Sequence, residues 1–192
     1  MLARLSLKVT RWAPLLLAAM APCAHAVEYT GIEAAASKLA FTYSEMGVDI
    51  DGSFAHFNVR LNFDPARPEA AHVALDVQMS SVDAGSEEAT AEVAGADWFD
   101  SAHHPVSQFV STGAKLLAPG RYQLSGNLSI KGRTRAISVP VNYQAQGARG
   151  VLSGEFRFNR NDFGVGAGEW ADPSVVADSV RVRFSLTVTA AR

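Results

Sequence analysis

Residues 180–188 read Val180-Arg181-Val182-Arg183-Phe184-Ser185-Leu186-Thr187-Val188. Every second side chain is apolar and every intervening one is polar. Successive side chains of a strand point to opposite faces, so this run specifies a strand with one buried and one wet face. The same period recurs upstream. Phe57, Val59, Leu61 and Phe63 alternate with Asn58, Arg60 and Asn62, and Val73, Leu75, Val77 and Met79 alternate with Ala74, Asp76 and Gln78. Tyr122, Leu124, Leu128 and Ile130 form a fourth set, Ile137, Val139, Val141 and Tyr143 a fifth, and Leu152, Phe156 and Phe158 a sixth. Residues 38–43 and 106–111 add two more, for eight strands.

One apolar face per strand is the mark of antiparallel sheet rather than of parallel sheet buried on both sides. Turn residues separate the runs: Asp64-Pro65 to Pro68, Pro119-Gly120, Lys131-Gly132 and Gln146-Gly147. Gly126 and Gly154 stand inside strand patterns, where a missing side chain permits the bend that closure demands. The strands are long for a sandwich, and an all-β, eight-stranded antiparallel barrel is the expected fold. Such a barrel holds either packed side chains or one small ligand. Periodicity does not separate the two, because both need the same inward face. One segment breaks the pattern. Residues 86–94 are rich in helix formers, with Ser86 placed as N-cap, Glu87 and Glu88 in the first turn and Gly95 beyond the end, so a short inserted helix is expected there.

The N-terminus reads as a targeting segment. Arg4, Lys8 and Arg11 precede the apolar run 12–21, and Ala24-His25-Ala26 is a small-x-small tripeptide. These are the three parts of a secretory signal peptide, and the apolar run is shorter than the roughly 20 residues that span a bilayer. Residues 1–26 are read as a signal peptide cleaved after Ala26, and residues 27–192 as one exported, periplasmic domain. Cleavage removes the single cysteine, Cys23, and takes the formal charge from −2 to −5 with the loss of three basic residues. Charged residues at 19 % and hydrophobic ones at 48 % exclude intrinsic disorder. The acidic balance argues against a nucleic-acid partner, which would need a basic excess to release counterions.

Catalytic and metal motifs are missing. There is no G-x-S-x-G elbow, no phosphate loop and no HExxH. His103-His104 precedes Pro105 and reads as a loop. Asp97 and Asp100 flank Trp98-Phe99 and read as turn caps whose aromatics anchor to the core. No enzyme, metal or cofactor is expected from these residues.

Several blocks, in order, resemble the YceI-like family of exported bacterial proteins. They are Ser37-Lys38-Leu39-Ala40-Phe41, Met46-Gly47, Gly52-Ser53-Phe54, Phe63-Asp64-Pro65 and the run Val77 to Gly85. They continue with Asp97-Trp98-Phe99-Asp100, His104-Pro105, Phe109-Val110-Ser111, the hairpin Tyr122 to Arg135, and Phe156-Arg157-Phe158-Asn159-Arg160-Asn161-Asp162-Phe163-Gly164. The hairpin departs from the family pattern at Ser129, Lys131 and Arg133. The resemblance covers about residues 28–190. It implies a lipocalin-like barrel that binds a polyisoprenoid, such as an isoprenoid quinone or a prenyl phosphate.

On that reading the tail lies along Phe57, Val59, Leu61, Val77, Met79, Leu124, Leu128, Phe156, Phe158, Val182 and Phe184, which share the inward phase of their strands. The glycine-rich stretch 159–178 is long enough to be functional. Phe163 and Trp170 are expected to cover one end of the barrel, with Arg160 beside a polar head group; the alternative pairs Arg160 with Asp162 or another acid. The partners expected are the lipid itself and transient contact with a membrane or a membrane redox protein, and exposed barrel edges leave a homodimer open. The competing reading is a periplasmic interaction or stress-response protein with a filled barrel and no lipid.

Overall fold

The computed structural model describes residues 27–191; the signal-peptide reading and Cys23 fall outside them. Eleven antiparallel strands form one curled sheet: β1 (Tyr29–Ile32), β2 (Lys38–Glu45), β3 (Val48–Phe54), β4 (Phe57–Asn62), β5 (His72–Gln78), β6 (Val82–Asp83), β7 (Val106–Ala118), β8 (Arg121–Ile130), β9 (Arg133–Gln146), β10 (Arg149–Asn159) and β11 (Ser179–Ala190). The helix α1 spans Glu87–Val93. The strand order is β4-β5-β7-β8-β9-β10-β11-β2-β3-β6, with β1 paired on β11.

All eight strands read from the alternation are present. The three others escaped it for physical reasons. β1 and β6 are four and two residues long, too short to show a period. β3 places Gly52 opposite Phe41, where an apolar side chain would have marked the pattern.

The sheet closes at one end only. β1 leaves β11 and joins the far edge through Tyr29 and Phe63, whose backbones exchange two hydrogen bonds of 2.8 and 3.0 Å. On its other side the sheet continues through β2, β3 and β6, with α1 following β6. The result is a half-barrel whose apolar faces turn inward, closed at the β1 end and bounded by loops at the other.

The two strand-interior glycines do what closure requires. Gly126 lies beneath the Phe109 ring and Gly154 beneath that of Phe184, and a Cβ at either position would collide with the ring above it. β7 carries a bulge between Ser111 and Gly113, facing Gly126, which increases the local bend. The β9–β10 ladder ends at Ser153–Asn142, short of Pro140, which has no N–H to give. Beyond that point β10 pairs with β11 alone.

Helix α1 begins as its sequence dictates. Ser86 is extended, and its Oγ accepts from the Ala89 N–H at 3.1 Å. Glu87 and Glu88 occupy the first turn, where the helix dipole favours negative charge.

Candidate functional site

The inward faces enclose one large cavity of about 540 Å³, within the roughly 300–1,000 Å³ typical of ligand pockets. Its wall is aliphatic and aromatic along most of its length. Each strand contributes its inward phase: Leu39, Phe41 and Tyr43 from β2, Phe57 and Val59 from β4, Val73, Leu75 and Val77 from β5. Leu124 and Leu128 come from β8, Phe156 and Phe158 from β10, and Val180, Val182, Phe184 and Leu186 from β11. The barrel is hollow, which decides the question that periodicity left open.

Of the residues read from the sequence as a tail-binding face, Phe57, Val59, Val77, Met79, Leu124, Leu128, Phe156, Phe158, Val182 and Phe184 all stand on this wall, and Trp170 and Arg160 stand at its open end. Two do not line it. Leu61 shares the inward phase of β4 but sits where the barrel narrows, in a cluster with Tyr29, Phe63, Tyr122 and Val188 that fills the closed end. Phe163 is buried at the base of the 159–178 stretch, packed edge-on against Phe158 at 5.4 Å and 88°. It supports the wall from behind and does not cover an opening.

The closed end is an aromatic plug. Phe63 meets Tyr122 and Tyr143 edge-on at 5.3 and 5.4 Å. The Tyr29 and Tyr143 hydroxyls are 2.7 Å apart, and the Tyr122 hydroxyl donates to the Pro65 carbonyl at 3.2 Å. Burial, then the bond to Tyr29, pushes the Tyr143 hydroxyl far above its ordinary range.

The mouth is built from three segments. Ser86, Glu88, Ala89, Glu92 and Val93 bring one side of α1 to the cavity; Trp98 and Phe99 follow; Val165, Trp170 and Val176 come from the long loop. Trp98 and Trp170 lie 5.5 Å apart at 51°, and Trp170 Nε1 donates to Glu92 Oε1 at 3.1 Å. The expectation that Trp98-Phe99 anchors a turn holds: Trp98 is buried with Ile130, Phe163 and Val165, while the Asp97 carbonyl accepts from the Gly166 and Ala167 N–H groups, both at 2.8 Å. Asp100 accepts from His103 Nδ1 at 2.8 Å, and that bond lowers its carboxyl pKa. No group of three or more potential metal ligands occurs among the described residues, nor any helix long and apolar enough to cross a membrane.

Arg160 is buried, and its donors are engaged within the protein. It continues the inward phase of β10 after Phe156 and Phe158 and is 1 % exposed. Its Nε donates to the Ala177 carbonyl at 3.2 Å, Nη1 to Val165 and Gly166 at 3.0 and 2.8 Å, and Nη2 to Trp170 and Val176, both at 2.7 Å. A guanidinium has five N–H donors, and all five are engaged by backbone carbonyls of the 165–177 stretch. It is not paired with Asp162, which is exposed, but it forms an ion pair with another acid, Asp178, at 3.7 Å. Burial lowers the Arg160 pKa, partly opposed by Asp178. The glycine-rich stretch 159–178 is wound around this side chain, with two short 3-10 turns, Arg160–Phe163 and Gly168–Ala171.

The sequence reading missed the acids of the mouth. Glu45 follows Leu39, Phe41 and Tyr43 in phase along β2, and Glu88 and Glu92 lie four apart on α1, hence on one face. All three reach the cavity. Both signals are present in the spacing, and an inward phase traced through apolar residues alone passes over them.

The family model described as YceI-like domain matches residues 31–188. A protein of Azotobacter vinelandii called UPF0312 protein is 30 % identical over 132 residues, covering 65 % of this chain and 69 % of its own length. The crystal structure of BcnA from Burkholderia cenocepacia superposes with a TM-score of 0.80 at 34 % identity, over 82 % of this chain and 99 % of that one. A domain of Saccharophagus degradans, described as polyisoprenoid-binding and implicated in plant cell wall breakdown, shares the fold with a TM-score of 0.65 at 17 % identity. It covers 86 % of this chain and 99 % of its own.

Proposed function

Because the chain belongs to the YceI-like family, we propose that it is an exported binding protein that holds a long polyisoprenoid chain in its barrel and carries or stores it across the aqueous periplasm. The observation that carries this reading is the 540 Å³ apolar cavity enclosed by the inward faces. Burying a CH₂ group is worth about 0.8 kcal/mol, so each isoprene unit offers on the order of 3 kcal/mol before ordering costs. An apolar wall therefore supplies affinity for a tail without any chemistry on it, and the domain acts as a binder, not an enzyme. The polyisoprenoid-binding description of the Saccharophagus degradans domain supports the same ligand class. The signal-peptide pattern of residues 1–26 supports export.

The competing reading, a filled barrel acting through its outer surface, requires the inward side chains to pack shut, and the open cavity speaks against it. The test is direct. The protein is secreted from a bacterial host, purified without detergent and extracted with organic solvent for mass spectrometry. About one prenyl-bearing lipid per chain is expected. An empty extract, together with no uptake of added geranylgeraniol, would overturn the reading.

A further inference from the structure

We propose that Glu45, Glu88 and Glu92 make the mouth a charge filter, admitting prenyl chains with uncharged heads and disfavouring those that end in phosphate. The inference rests on the proposed function and sharpens it by choosing between head-group classes.

Three observations carry it. The first is the charge of the wall. Its ionisable side chains other than tyrosine are Glu45, Glu88, Glu92 and Arg160. Glu45 ends the inward phase of β2, while Glu88 and Glu92 stand on the cavity side of α1, so the acids come from two separate elements at the same end. The second is that the lone cation is spent. All five Arg160 donors are taken by backbone carbonyls, and turning one toward a ligand would strand a carbonyl in a buried place. The third is that the neighbouring cations stay off the cavity wall. Lys131 Nζ donates to the Ala96 and Gly164 carbonyls at 2.6 and 3.0 Å, and the Arg133 guanidinium lies against Gly164. Neither is on the cavity wall among the described residues.

A phosphate is bound well by charge-assisted hydrogen bonds from cationic or backbone donors. Here it would meet three carboxylates, Glu45 half-buried and Glu88 and Glu92 exposed, and like charges repel, the more so at low salt. An alcohol or a quinone head pays no such cost. The acids are also positioned by structure: Glu92 accepts from Trp170 Nε1 at 3.1 Å, and the Glu45 backbone bridges to Val176.

The test uses the mature chain freed of lipid and two probes with the same tail, geranylgeraniol and geranylgeranyl phosphate, titrated by quenching of tryptophan fluorescence. Wild type is expected to bind the alcohol at least tenfold more tightly, with the gap narrowing as salt is raised. The triple variant E45Q/E88Q/E92Q keeps the shape of the mouth, and glutamine can still accept from Trp170. It is expected to shrink the gap at least fivefold by strengthening phosphate binding alone. Equal affinities in wild type, or an unchanged gap in the variant, would overturn the filter while leaving the binding function standing. Failure to bind either probe would overturn the binding function and the filter with it.

Discussion

The closed end and the mouth of the barrel are both rich in aromatic rings, and they are held in opposite ways. At the closed end, strands do the work. β1 ties β11 to Phe63, just beyond the β4 edge, by backbone hydrogen bonds, and Tyr29, Phe63, Tyr122 and Tyr143 pack ring against ring with Val188 fully buried beneath them. At the mouth no strand closes the sheet. A seven-residue helix and two loops cover it, and one of those loops is wound around a single guanidinium. One end is therefore secured by many non-local contacts and the other by a few removable ones. Local opening follows contact density and exposed hydrogen bonding, so stability belongs to the first end and ligand traffic to the second.

Substitutions at the two ends should separate these properties. Phe63→Ala removes the centre of the plug and should cost about 4 kcal/mol. It lowers the urea midpoint, and in the fraction still folded it leaves lipid release unchanged. Arg160→Met strands five carbonyls and should cost about 3 kcal/mol. A loss of only a few tenths of a kcal/mol would return Arg160 to a surface role. Trp170→Ala loses the Trp98 contact and the bond to Glu92, for about 1 kcal/mol, yet it should speed release of a bound prenyl chain several-fold in stopped-flow fluorescence. Tyr143→Phe is the mildest. It deletes one hydroxyl, while Tyr29 keeps a 3.4 Å contact to the Arg149 carbonyl, so about 0.5 kcal/mol is expected, with no change in release. If Tyr143→Phe altered release more than Trp170→Ala, the two ends would have exchanged roles.

The sequence carried the barrel because strand phase is a local property. Val182, Phe184, Leu186 and Val188 face inward for the same reason that they alternate. Gly126 and Gly154 announced the bends for an equally local reason. What the sequence did not carry was the identity of distant acceptors. Phase alone places Arg160 inward after Phe156 and Phe158. Only the fold reveals that its partners are carbonyls between Val165 and Ala177. Leu61 lies off the wall for a related reason, since inward phase does not tell the filled end of a barrel from its hollow part, and Phe163, expected as a cover, is turned inward by its 3-10 turn to pack on Phe158. The closing strand β1 was illegible because four residues have no measurable period and because its partners, Phe63 and β11, are remote in sequence.

The contrast between the ends is tested most directly by amide hydrogen exchange on the lipid-free mature chain, with and without saturating geranylgeraniol. Slowing is predicted in residues 86–99 and 165–178, around the mouth, while Tyr29, residues 57–63 and residues 184–188 exchange as slowly without the probe as with it. Slowing centred on β1 and the Phe63 plug, with the mouth unchanged, would contradict it and place the entrance at the other end.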